Sequence, residues 1–140
     1  MPPARSRSFL DSNVVLYLLS ADAGKADGAE ALLWQGAVIS VQVLNEVASV
    51  CTRKLGMRWD DVGQFLELVR SFCKVVPLTV DVHDCARRFA QRHGMSFYDA
   101  CIAAAAAVEG CRTLYSEGLH HGLVIDGALT VRNPFAAPGR

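Results

Sequence analysis

The chain lacks an excess of either charge. Its 14 Lys and Arg balance 14 Asp and Glu, for a formal net charge of zero, so overall electrostatics favour neither a nucleic acid nor a membrane surface as partner. Long hydrophobic runs are also missing. The longest, residues 100–108, falls far short of the roughly 20 apolar residues that cross a bilayer, and no membrane span is expected. Cysteine occurs five times, at Cys51, Cys73, Cys85, Cys101 and Cys111, an odd number with no C-x-x-C pair. Most of these lie in apolar helical stretches, where a free thiol behaves as a small hydrophobe. Such usage opposes a disulfide scaffold and favours a reducing cytoplasm. A zinc site built from His83, Cys85, His120 and His121 would match no standard ligand spacing. Residues 1–7 run straight into the first strand signal, so no secretion leader is expected. No G-x-G-x-x-G or P-loop follows that strand, and no G-x-S-x-G occurs, which removes the main support for nucleotide-binding and serine-hydrolase chemistry.

What is present is one well-filled domain. At 140 residues and 51% apolar composition, the chain can bury a single core and is too short for two. Pro and Gly stand singly at boundaries, without linker or repeat, so residues 1–140 read as one domain. Strand signals at 9–10, 37–40, 74–76 and 112–115 alternate with helical periodicity at 14–19, 25–33, 41–55, 60–72, 81–93 and 99–108. A last extended pair follows at 123–125 and 129–131. This alternation predicts an α/β fold, a three-layer sandwich with a mostly parallel central sheet between helices. The alanine-rich segment supports it, because small side chains let a helix lie close on a sheet.

Three carboxylates stand where such a fold turns into helix starts. Asp11 ends the first strand, at the sheet edge where open α/β folds bind ligands, and Asn13 two residues on can orient it. Glu46 lies in the second turn of a helix that Ser40 can cap; on a helical wheel it falls nearly opposite the line through Leu44 and Cys51 and could face solvent. Asp99 follows Ser96 in an S-x-x-D pattern that also reads as a plain helix cap. Taken jointly, the three acids suit a hard divalent cation such as Mg²⁺ or Mn²⁺, since crowded carboxylates repel unless a cation or proton lies between them. The chemistry that fits is metal-assisted attack on a phosphodiester. Of the 14 cations, 11 are Arg, whose planar fork suits phosphate. They cluster as Arg53 and Lys54 with Arg58, and as Arg87 and Arg88 with Arg92. A solvated helix face is the plain reading of each cluster, and contact with a nucleic-acid backbone the functional one.

Four separated segments together resemble the PIN-domain ribonucleases, and among them the VapC-type toxins. They are Phe9-Leu10-Asp11-Ser12-Asn13, the stretch 39–46 ending in Glu46, Ser96-Phe97-Tyr98-Asp99-Ala100, and the tail from Leu114 through Ser116-Glu117-Gly118. The resemblance implies Mg²⁺ or Mn²⁺ dependence and endonucleolytic cleavage of RNA (tRNA, rRNA or mRNA). It further implies a homodimer and a small antitoxin as inhibitor. Asp11, Glu46 and Asp99 match the family's first three acids and would be the catalytic, metal-binding set, with Ser12, Asn13 and Ser116 orienting them. One departure matters: where the family has a fourth acid this chain has Gly118, and the neighbouring Glu117 is a possible substitute. Two expectations follow, a ribonuclease toxin, or a weakened module that holds RNA or antitoxin without efficient cutting.

Overall fold

The computed structural model describes residues 8–135. Residues 1–7 and 136–140, the ends of the expected 1–140 domain and the place of the expected missing leader, lie outside the described residues. The elements are β1 (Ser8–Leu10), α1 (Ser12–Leu16) with a 3-10 turn at Tyr17–Leu19, α2 (Ala23–Trp34), β2 (Ala37–Ser40) and α3 (Val41–Arg53). Then come α4 (Trp59–Phe72), β3 (Cys73–Val76), α5 (Val80–His93), α6 (Phe97–Glu109), β4 (Thr113–Tyr115), β5 (Val124–Ile125) and β6 (Leu129–Arg132).

The sheet has six strands in the order β3-β2-β1-β4-β6-β5. All neighbours are parallel except β5, which runs antiparallel to β6. The expected mostly parallel sheet with helices on both sides is therefore the observed fold. Phe9, Val38, Ile39, Leu114 and Val131 are fully buried, as strands covered on both faces require. Phe9 pairs with Val38 on one side and Leu114 on the other, which puts β1 at the centre and its carboxyl end in the middle of the ligand-binding edge.

Local chemistry starts and stops the helices. Ser40, Thr79 and Ser96 cap α3, α5 and α6 through their side-chain oxygens, each satisfying an N–H that the first turn leaves unpaired. Gly94 and Gly110 end α5 and α6 in the left-handed region, at φ 65° and 87°, where a Cβ would be strained. Ala100 through Ala106 are all buried, and α6 lies against β2, β4 and α5.

Several boundaries differ from expectation for identifiable reasons. The segment expected as one helix at 14–19 starts at Ser12 and tightens into a 3-10 turn. α3 stops at Arg53 rather than residue 55, because the Met57 N–H folds back onto the Cys51 carbonyl (3.0 Å) and leaves Leu55 exposed. α6 opens at Phe97, two residues before Asp99, since Ser96 is the cap. The buried line of α3 runs through Val43, Val47 and Cys51, not through Leu44. Glu46 therefore flanks the buried seam instead of opposing it.

Candidate active site

The acidic site is built outward from Asp11. Its backbone N–H continues the β1–β4 pairing by donating to the Tyr115 carbonyl (2.9 Å), so the carboxylate is set by the sheet. That carboxylate caps α1, accepting from the Ser12 N–H at Oδ1 (2.6 Å), while Oδ2 accepts from the Ser116 hydroxyl (2.7 Å). The neighbouring Ser12 hydroxyl donates to Glu46 Oε1 (2.6 Å), and Gln42 Nε2 donates to Oε2 (3.0 Å). Gln42 is absent from the expected site, although its position one turn before Glu46 on the same helix is the usual signal for such a partner. Asp99 is the third residue of α6; its N–H donates to Ser96 Oγ (3.4 Å), so the cap forms while the carboxylate stays available.

Asp11, Glu46 and Asp99 line one cavity of about 360 Å³, with Ser12, Asn13 and Gly118 also in its wall. Asp11 is buried and Glu46 and Asp99 half-buried. Burial raises the Asp11 pKa from an ordinary 3.8 to about 6; the hydrogen bonds from Ser116 and Ser12 oppose this, and the negative charges of Glu46 and Asp99 add to it. Among the described residues no three His, Cys, Asp or Glu side chains stand as a ready-made metal cluster. The acids share a cavity without closing on a single point. The donor set nonetheless fits a hard cation: three carboxylates line the space with no His or Cys beside them, and the buried Asp11 charge is stabilised neither by Arg nor by Lys.

A pH prediction follows from that burial. A carboxyl whose folded pKa exceeds its unfolded value contributes stability that is full below about pH 4 and is lost as pH rises through about 6. The 3.8 to about 6 shift corresponds to about 3 kcal/mol. Metal-free protein should lose that increment across this window, and Asp11→Asn should flatten the loss. Chemical denaturation of both proteins at pH 4, 5, 6 and 7 measures it; parallel curves would contradict it.

The remaining expected residues scatter. Asn13 Oδ1 accepts from the Glu117 N–H (3.4 Å), joining the start of α1 to the turn after β4. The Glu117 side chain is turned away from the acids: its carboxylate accepts from the Tyr17 hydroxyl and lies 3.5 Å from Lys25 Nζ. Its carboxylate is therefore not among those that line the cavity, although Gly118, the next residue of the turn, is in the wall. Gly118 lines the cavity with no side chain to offer. Arg53 and Lys54 are exposed at the end of α3, and Arg53 sits one turn beyond Ser49 and Val50 of the cavity wall. Arg87 is paired with Asp84 (3.1 Å) and Arg92 with Asp126 (2.7 Å). Asp126 lies in the β5–β6 turn ahead of β6, at the sheet edge opposite the acids. Arg92 is thus not brought to the cavity, and Arg88 and Arg92 line a separate depression of about 290 Å³.

A sequence model described as PIN domain matches residues 8–120. No curated protein gives a significant sequence match. Among solved structures, a toxin–antitoxin complex from Klebsiella pneumoniae superposes with a TM-score of 0.70 at 19% identity, covering 93% of this chain and 99% of that one. Rickettsia felis VapBC2, bound to a DNA fragment from its promoter, gives 0.67 at 18% identity, over 90% and 97% of the two chains. Mycobacterium tuberculosis VapC20, a sarcin-ricin loop cleaving toxin, gives 0.63 at 22% identity, over 78% and 88%. At these identities the likeness establishes the fold.

Proposed function

This chain belongs to the PIN-domain family, and from that premise we propose that it is a metal-dependent endoribonuclease, the toxin of a toxin–antitoxin pair. The observation that carries the proposal is the single cavity that Asp11, Glu46 and Asp99 line at the carboxyl edge of the sheet. Asp11, Glu46 and Asp99 would hold Mg²⁺ or Mn²⁺. Bound there, the cation supplies an acidified water and neutralises charge on the phosphate under attack. The protein's own part is alignment. Ser116 and the Ser12 N–H fix both oxygens of Asp11, Ser12 and Gln42 fix both oxygens of Glu46, and partners of this kind keep a ligand set in register.

The partners implied are RNA, a second copy of the chain and a small antitoxin. Among the described residues no helix is long and apolar enough to cross a membrane; a cytoplasmic setting belongs to the proposal. The protein-binding face we assign is an apolar groove of about 380 Å³ lined by Leu33, Trp34, Phe65, Leu68 and Phe72. Trp34 and Leu68 are 69% and 59% exposed there, and contiguous apolar surface of this kind marks a protein-binding face.

The second reading, a module that binds RNA or antitoxin without efficient cutting, is favoured by one observation: position 118 is bare and Glu117 does not reach the cavity. Incubating purified protein with a mixed RNA pool separates the two. We expect discrete products with Mg²⁺ or Mn²⁺, none with chelator, and recovery on adding metal back; intact RNA throughout favours the module.

RNA contact through exposed cations should make binding weaken with salt. Because Arg53 adjoins the cavity wall while Arg92 is paired at the far edge, Arg53→Ala with Lys54→Ala should lower the single-stranded salt slope by about 1.4, at roughly 0.7 per phosphate contact. Arg88→Ala with Arg92→Ala should change it less. Fluorescence anisotropy across a salt series provides the numbers, and equal slopes in all three proteins would remove α3 from the RNA path.

A further inference from the structure

The turn after β4 is held from two sides, and only one of them is the acidic cavity. On the cavity side, the Gly118 and Leu119 N–H groups both donate to Ser116 Oγ (3.2 Å each), whose own proton goes to Asp11. The Ser116 hydroxyl is completely buried and fully used, so its aim depends on the shape of this turn. On the other side, Glu117 accepts from the Tyr17 hydroxyl and pairs with Lys25. Lys25 Nζ also sits 4.6 Å above the Tyr17 ring, and the Tyr17 ring meets Phe135 edge-on at 5.0 Å. Tyr17, just past α1, and Lys25, at the start of α2, therefore converge on the Glu117 carboxylate, and Phe135, after β6, packs on the Tyr17 ring.

We infer that Glu117 is a positioning residue: clamped by Tyr17 and Lys25, it fixes the 116–119 turn and so keeps the Ser116 hydroxyl on Asp11. This rests on the proposed role of Asp11 as a metal ligand. A half-exposed ion pair alone contributes little. The Tyr17 hydroxyl adds a charge-assisted hydrogen bond, and together they determine which way the Glu117 side chain leaves the backbone. The clamp also accounts for why Glu117 cannot serve the cavity, since its carboxylate is engaged outside it.

The sign of one measurement decides between clamp and ligand. Titrating Mn²⁺ by calorimetry into Tyr17→Phe/Lys25→Met should show affinity about 10-fold below the parent, the loss typical of removing support behind a ligand. Lys25→Arg, which keeps the charge, should hold parent affinity. Were Glu117 a ligand held in reserve, freeing it would raise affinity, and that result overturns the clamp. Unchanged affinity overturns it as well. Amide hydrogen exchange gives a readout independent of metal: the double variant should lose protection at Gly118 and Leu119 while the strands keep theirs. Parent-like protection there rejects the clamp even if no Mn²⁺ binds, whereas absence of Mn²⁺ binding in the parent counts against the nuclease proposal alone. Should the double variant misfold, Tyr17→Phe by itself, a loss of one hydroxyl, must show the same direction in both measurements.

Discussion

Replacing Asp11 by Asn should leave a folded protein whose RNA cleavage is slower by on the order of 10²-fold or more. The fold survives because Asn keeps the shape and one oxygen to accept the Ser12 N–H that caps α1. Stability without metal should even improve above pH 6, where the native carboxylate is buried and charged. Activity falls because the deleted charge is the one most removed from water, 6% exposed, and so the one least replaced by solvent. Asp99→Asn should act in the same direction. Single-turnover cleavage of a labelled RNA, with circular dichroism to verify folding, provides the comparison; parent-like rates in either variant remove that residue from the site.

Gly118→Asp should move the rate the opposite way, upward by about 10²-fold. The resemblance to PIN-domain ribonucleases calls for a further acid at this position, and Gly118 lines the acidic cavity. Its backbone is outside the left-handed region, so an L side chain is not strained there. A Cβ would lie 3.2 Å from Asn13 Nδ2, tight enough that the amide must shift by a few tenths of an ångström. That amide can then donate to the new carboxylate. The increase should appear with both Mg²⁺ and Mn²⁺, accompanied by greater toxicity on expression. A variant no faster than the parent would mean that Gly118 marks no disabled ligand position. Glu117→Gln, by contrast, should act through the turn and not as loss of an acid.

Much of this was legible in the sequence because the signals are local. Phe9-Leu10 followed by Asp11 reads as a buried strand ending in an acid, and the sheet makes this so. Ser40 and Ser96 announce helix starts that then carry Glu46 and Asp99 into the cavity. The alternation of strand and helix is enough for a mostly parallel sheet. What could not be read depends on contacts between distant segments. Glu117 is adjacent to the cavity residues in sequence, yet its direction is set by Tyr17 and Lys25, roughly a hundred positions away. Arg92 has the composition of a phosphate contact, but Asp126 claims it at the wrong edge. The rotation of α3 that brings Glu46 inward depends on which of two overlapping apolar stripes meets the sheet, and Val43, Val47 and Cys51 win because they are the ones facing the core.

The central claim is that Asp11, Glu46 and Asp99 together form the centre of a metal-dependent ribonuclease. Its most direct test compares the parent with Asp11→Asn/Glu46→Gln/Asp99→Asn on end-labelled single-stranded RNA, with Mn²⁺ and with chelator, after both proteins have been shown to fold. The account predicts metal-dependent products from the parent and none above background from the triple variant. Equal, metal-dependent cleavage by the two proteins would contradict it, because the chemistry would then reside elsewhere.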